Sequence, residues 1–136
     1  MKEYQMNIRS MLLAAALLGS LVTGAASAAE LAGGAILSTP MNGHQLLTDT
    51  RGRALYVYDK DQAGLPTCSG LCAIGWPWMK AAKNAVASGD FAPVSGRGGS
   101  IWAYKGRPLY LYAGDHKPGD VTGDGADGVW HAAIIR

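Results

Sequence analysis

Cys68 and Cys72, in Cys68-Ser69-Gly70-Leu71-Cys72, are the only cysteines of the 136-residue chain. In an exported chain, an even count points to a disulfide. A bridge between residues four apart needs a helical turn or compact bend, because the Cα atoms must approach within about 6 Å. Closing so short a loop stabilises by ~2 kcal/mol at most. Its use is therefore to fix the loop that presents Trp76-Pro77-Trp78. Other thiol chemistry fits less well. Haem attachment wants Cys-x-x-Cys-His, and Ala73 follows Cys72. A dithiol redox pair wants Cys-x-x-Cys opening a helix. A thiolate metal site finds only Met79 nearby as a further soft ligand.

Asp120, Asp124 and Asp127 lie in the glycine-rich run Gly119 to Gly128. Read as a calcium loop, Asp120, Thr122 and Asp124 take the first three ligand positions, with Gly125 at the sharp turn. The position that requires a bidentate Glu holds His131, so the match is partial. The alternative is a glycine-rich loop whose aspartates bond their own backbone. His44, His116 and His131, with Met41 and Met79, are the residue types of a copper or zinc site, but no spacing joins them. No G-x-S-x-G elbow, Walker loop or Ser/His/acid arrangement is present. The sequence therefore predicts no enzyme and no obligatory cofactor, with calcium or copper binding as the alternative.

The elements that must position these residues are duplicated. Gly52-Arg53-Ala54-Leu55-Tyr56-Val57-Tyr58-Asp59-Lys60-Asp61 returns 54 positions later as Gly106-Arg107-Pro108-Leu109-Tyr110-Leu111-Tyr112-Ala113-Gly114-Asp115. The same offset carries Trp76 onto Trp130. Two repeats follow, about 43–80 and 97–134. Alternation puts Tyr56 and Tyr58 on one strand face with Leu55 and Val57 on the other, and likewise Tyr110 and Tyr112 opposite Leu109 and Leu111. Under a pseudo-twofold the aliphatic pairs meet in one core and the tyrosines form a second aromatic layer. Asp61 and Asp115, just past each strand, are expected to accept backbone N–H groups and fix turns.

Short apolar runs bounded by turn formers predict strands at 35–38, 45–48, 54–58, 91–94, 101–104, 108–112 and 129–135. Helical signals are few: one turn over 69–73 and a weaker stretch over 79–87. The expected fold is mainly β, with two tandem antiparallel units of hairpins packed as one small domain.

The first residues read as an address. Lys2 and Arg9 precede an uncharged run from Met11 to Ala26, and Ala26-Ser27-Ala28 supplies a small-x-small cleavage signal. Cleavage before Ala29, or one residue later, leaves one exported domain over residues 29–136. The apolar run falls short of the roughly 20 residues that span a bilayer, so no stable membrane anchor remains after cleavage. Ten basic and nine acidic side chains remain, spread without runs. That balance argues against nucleic acid, and it offers no polybasic segment for anionic membranes.

The doubled Tyr-x-Tyr-x-x-Asp, the Cys68/Cys72 pair followed by Trp76-Pro77, and Pro118-Gly119-Asp120 leading to Gly128-Val129-Trp130-His131 resemble a family of bacterial predicted lipoproteins. That family is defined by a Y-x-[FWY]-x-x-D motif and is also described as a secreted repeat of unknown function. The resemblance spans about residues 33–134. It implies a periplasmic or secreted protein of two repeats with no established activity, facing an unknown envelope ligand or protein partner. Two departures stand out. There is no lipobox cysteine, and Trp78 replaces the second proline that relatives place after Trp-Pro.

Overall fold

The computed structural model describes residues 19–20 and 28–136. The leader expected over 1–28 therefore lies almost wholly outside the described residues. Among the described residues, no helix is long and apolar enough to cross a membrane.

The described residues form strands β1 (Ala29–Leu31), β2 (Ile36–Met41), β3 (His44–Asp49), β4 (Tyr56–Tyr58), β5 (Phe91–Gly96), β6 (Gly99–Tyr104), β7 (Arg107–Pro108) and β8 (Trp130–Ala132), with one α-helical turn, α1 (Cys72–Gly75), and two 3-10 turns, Ala32–Gly34 and Ala126–Gly128. Two three-stranded antiparallel sheets, β1-β2-β3 and β5-β6-β7, lead into the two units. Two-residue turns set the registers. Asn42-Gly43 joins paired Met41 and His44, and Lys105-Gly106 joins paired Tyr104 and Arg107. All four turn residues have positive φ, the conformation whose twist matches that of antiparallel strands and which Asn and Gly adopt at least cost.

The two units exchange their closing segments. After Trp76 the chain leaves the first unit: Leu111 N–H bonds Pro77 O, Met79 N–H bonds Leu109 O, and Ala81 N–H bonds Ser100 O. After Trp130 the chain returns the other way: β8 pairs with β4, Ala133 N–H bonds Leu55 O, and Ile135 N–H bonds Gln45 O. Tyr56 and Tyr110 exchange both backbone hydrogen bonds, at 2.8 and 2.9 Å, where the pseudo-twofold passes between the units. This exchange decides two local outcomes. Residues 79–81 run extended, because their N–H groups go to the second unit, so the weak helical signal over 79–87 forms no helix. The expected strand 129–135 splits into β8 and an isolated bridge at Ile134.

Other boundaries also moved. The α-helical turn falls at Cys72–Gly75 rather than 69–73, since Gly70 is held in the left-handed region and cannot continue a helix. β1 has no apolar run to announce it; it is built by pairing with β2.

Two packed layers result. Leu47, Leu55, Val57, Leu109 and Leu111 bury together with Ile36, Phe91 and Trp102. On the opposite face of the paired strands, Tyr56, Tyr110, Trp76 and Trp130 bury together. The alternation read from the repeat is thus the division between the two layers.

Candidate functional site

The aromatic layer is built twice over. Trp76 and Trp130 lie face to face, centroids 3.8 Å apart and planes within 2°. Tyr112 stacks on Trp76 and Tyr58 on Trp130, each at 4.3 Å. The four rings form one column, Tyr58–Trp130–Trp76–Tyr112. Tyr56 meets Trp76 edge-on at 5.3 Å, and Tyr110 meets Trp130 likewise at 5.1 Å. Stacked and edge-to-face contacts are the arrangements that aromatic quadrupoles favour, each worth about 0.5–1.5 kcal/mol beyond area burial.

The buried tyrosine hydroxyls tie each unit to the other. Tyr56 donates to Asp115 Oδ2 at 2.6 Å, and Tyr110 donates to Asp61 Oδ2 at 2.7 Å. The second oxygen of each aspartate holds its own loop. Asp61 Oδ1 accepts the backbone N–H and hydroxyl of Thr67, and Asp115 Oδ1 accepts those of Thr122. The turn role expected of the aspartates is therefore half of their work; the other half crosses the pseudo-twofold. Burial first, then the hydrogen bond to the carboxylate, raises the ionisation of both tyrosines well above the usual phenol value. Both hydroxyls stay protonated donors. Among the described residues, no buried side-chain nitrogen or oxygen lacks a partner. The network is closed on itself, as a structural frame is.

A surface that breaks the symmetry lies beside this frame. Cys68 and Cys72 sit at disulfide geometry, Cα atoms 5.3 Å apart. The Trp78 indole N–H donates to Cys68 O at 2.7 Å. The six-membered ring of Trp78 lies so close to Gly96, in the β5–β6 hairpin, that a Cβ there would meet it at 2.8 Å. Three adjoining cavities, of about 570, 390 and 340 Å³, all border Trp78. Lys80, Lys83 and Arg97 line them, and no carboxylate does. None of these three cations forms an ion pair among the described residues. Leu71, in the disulfide loop, and Ile74, in α1, are 87 and 70% exposed, and Gly70 and Ala73 beside them line the largest of the three cavities.

The offset of 54 gives this groove a counterpart. Gly70, Pro77, Trp78 and Lys80 correspond to Asp124, His131, Ala132 and Ile134, and these four line a separate cavity of about 680 Å³. Its lining carries a carboxylate, Asp124, beside Lys105, Arg107, His131 and Arg136, and two of these cationic groups are paired. Asp59 binds His131 Nε2 at 2.7 Å and Arg107 at 3.2 Å. The His131 hydrogen bond, followed by its charge and Arg107, holds the Asp59 carboxyl below the usual carboxylate range. Asp124 accepts the Ala132 N–H at 2.9 Å.

The residues considered for calcium or copper are not brought together. Among the described residues, no three His, Cys, Asp or Glu side chains form a cluster able to hold a metal ion. Asp120 instead accepts the His116 and Lys117 N–H groups, the first of which does most to lower its ionisation. His131 is committed to Asp59, and Asp124 to its own backbone. Sequence reasoning missed Thr67, Thr122 and Asp59 as partners, and Lys80, Lys83 and Arg97 as a group. One signal was present: at the offset of 54, Trp78 aligns with Ala132.

No curated protein and no solved structure matches the chain. Residues 94–134, which span the second unit, match the family model of a secreted repeat of unknown function, the family the sequence resembles.

Proposed function

We propose that this protein is an exported, non-enzymatic binding domain of the periplasm or cell exterior. The duplicated aromatic frame is its scaffold, and the Trp78 groove takes the ligand. The observation that carries this reading is the break in symmetry. Tyr56, Tyr110, Trp76, Trp130, Asp61 and Asp115 occur in both units, are internally satisfied and hold the units together. Trp78, Lys80 and the disulfide loop occur in the first unit alone and surround open space of ligand size. The family's description as secreted supports an exported location.

The reading is tested on 15N-labelled full-length mature chain mixed with soluble fractions of the cell envelope. The Trp78 indole N–H resonance, assigned with Trp78→Phe, is the reporter. A fraction that moves this resonance while leaving those of buried Trp76 and Trp130 in place supports the reading. If no fraction moves it, the groove is not a ligand site and the reading fails.

A further inference from the structure

We infer that the Trp78 groove binds an acidic oligosaccharide, its sugar face against the indole and its anionic groups against Lys80, Lys83 and Arg97. This rests on the binding-domain reading above and names the ligand class for the same site.

Charge comes first. The 29–136 segment is nearly balanced, ten basic against nine acidic side chains. In a chain of that balance, three neighbouring cations with no carboxylate among them are a local departure from the average. The three cavities around Trp78 hold three cations and no carboxylate, and the cations are not ion-paired among the described residues. An anionic ligand supplies the missing partner, and low local dielectric against the protein wall strengthens the attraction. The counterpart cavity differs in part: Asp124 is in its lining, and Asp59 pairs with its Arg107 and His131, while Lys105 and Arg136 form no ion pair among the described residues.

Shape and lining then narrow the class. The cavities lie side by side: the largest shares Ser69 and Arg97 with one neighbour, and Lys80 and Gly98 with the other. The site is an extended open groove, which suits a short polymer better than a compact anion. Its lining mixes one large aromatic ring with the hydroxyls of Ser69, Ser95 and Ser100. A flat apolar body beside hydroxyl groups complements a pyranose, which has an apolar C–H face and polar edges. A nucleic acid strand needs more phosphate neutralisation than three cations provide. A lipid tail needs a more enclosed apolar cavity than an open groove bordered by Lys80, Lys83 and Arg97.

Pre-organisation supports the same use. Trp78 is held by its N–H bond to Cys68 O and by contact with Gly96. Cys68 is in turn fixed by the bridge to Cys72. A ring already locked loses little entropy when a ligand stacks on it.

The test is calorimetric titration of the full-length mature chain with four probes: tetragalacturonate, a sulfated heparin-derived tetrasaccharide, uncharged maltotetraose, and sodium phosphate. Binding of both acidic tetrasaccharides, weakened about tenfold or more in ~0.5 M salt, is the expected result. Lys80→Glu and Arg97→Glu, both on exposed side chains, should each weaken it by about tenfold, with folding checked by the amide NMR spectrum. Trp78→Phe should retain most of the affinity and Trp78→Ala lose most of it. Phosphate binding as tightly as the tetrasaccharides would reduce the site to a simple anion patch and overturn the inference. Equal binding of maltotetraose would also overturn it, while leaving the binding-domain reading intact. Binding by none of the four overturns the ligand class, and the envelope-fraction experiment then decides the wider reading.

Discussion

The Trp78 groove and the surface around Ala132 occupy equivalent places in two related units, and they have been filled in opposite ways. In the first, Trp78 and Lys80 border open space with no acidic side chain. In the second, Ala132 and Ile134 stand in their places, Asp59 pairs with Arg107 and His131, and Asp124 accepts the Ala132 N–H. The aromatic frame between them is nearly identical on both sides of the axis. The protein is thus its own control. Features present twice report on holding the fold together, and features present once report on what the fold presents.

The strongest way to break that division is to attack the shared column. Trp76→Ala and Trp130→Ala each empty a buried, stacked ring site, and each should cost about 3–5 kcal/mol by denaturant unfolding. The two costs should agree closely. A large inequality would mean that the frame is not symmetric in energy.

The cross-unit hydroxyl bonds come next. Tyr56→Phe and Tyr110→Phe leave Asp115 and Asp61 short of a donor beside the core, costing about 1–3 kcal/mol each. They also carry a pH signature. Both phenols ionise above their usual value when folded, so the folded state binds protons that the unfolded chain releases. Their contribution is complete below about pH 10 and is lost as pH rises through and beyond it. The wild-type protein should therefore lose stability with rising pH more steeply than either Phe variant. Parallel alkaline limbs would contradict the buried-donor assignment.

Removing the disulfide sharpens the comparison from the other side, because only one surface has it. Cys68→Ser with Cys72→Ser should lower stability by about 2 kcal/mol. NMR shifts should concentrate at Trp78 and the groove, with the Asp59–His131 side unmoved. Smallest of all is Asp59→Asn, which deletes an exposed pair. The Asp59 carboxyl is held low when folded, so its contribution is present above about pH 4 and disappears as pH falls below that. Wild-type and variant melting temperatures should converge at about pH 2–3, roughly the end of the carboxylate titration.

Much of the fold was legible because its signals are local and periodic. Leu55 and Val57 alternate with Tyr56 and Tyr58, and the two sets became the two buried layers. Asn42-Gly43 marks its hairpin through φ alone. What the sequence does not display is partner choice. Nothing in residues 77–81 says that their backbone pairs with 100–111 rather than with their own unit, and a helical reading of 79–87 fails for that reason. Asp61 and Asp115 were legible as turn acceptors through their loops, but the tyrosines they accept lie across the pseudo-twofold axis. The acidic loop was misleading in its spacing: Asp120 and Asp124 are claimed by nearby backbone N–H groups instead of facing one another. Lys80, Lys83 and Arg97 gather only because the β5–β6 hairpin folds against the segment that follows Trp76.

The central claim is that the shared frame supports the fold while the unshared groove binds. Its most direct measurement is the affinity of tetragalacturonate for four forms of the protein: wild type, Lys80→Glu with Arg97→Glu, Trp78→Ala, and the counterpart variant Arg107→Ala with His131→Ala. Loss of about tenfold or more in the two groove forms, with the counterpart form binding like wild type, is the predicted result. Equal weakening in the counterpart form, or unchanged affinity when the groove cations are reversed, would contradict it.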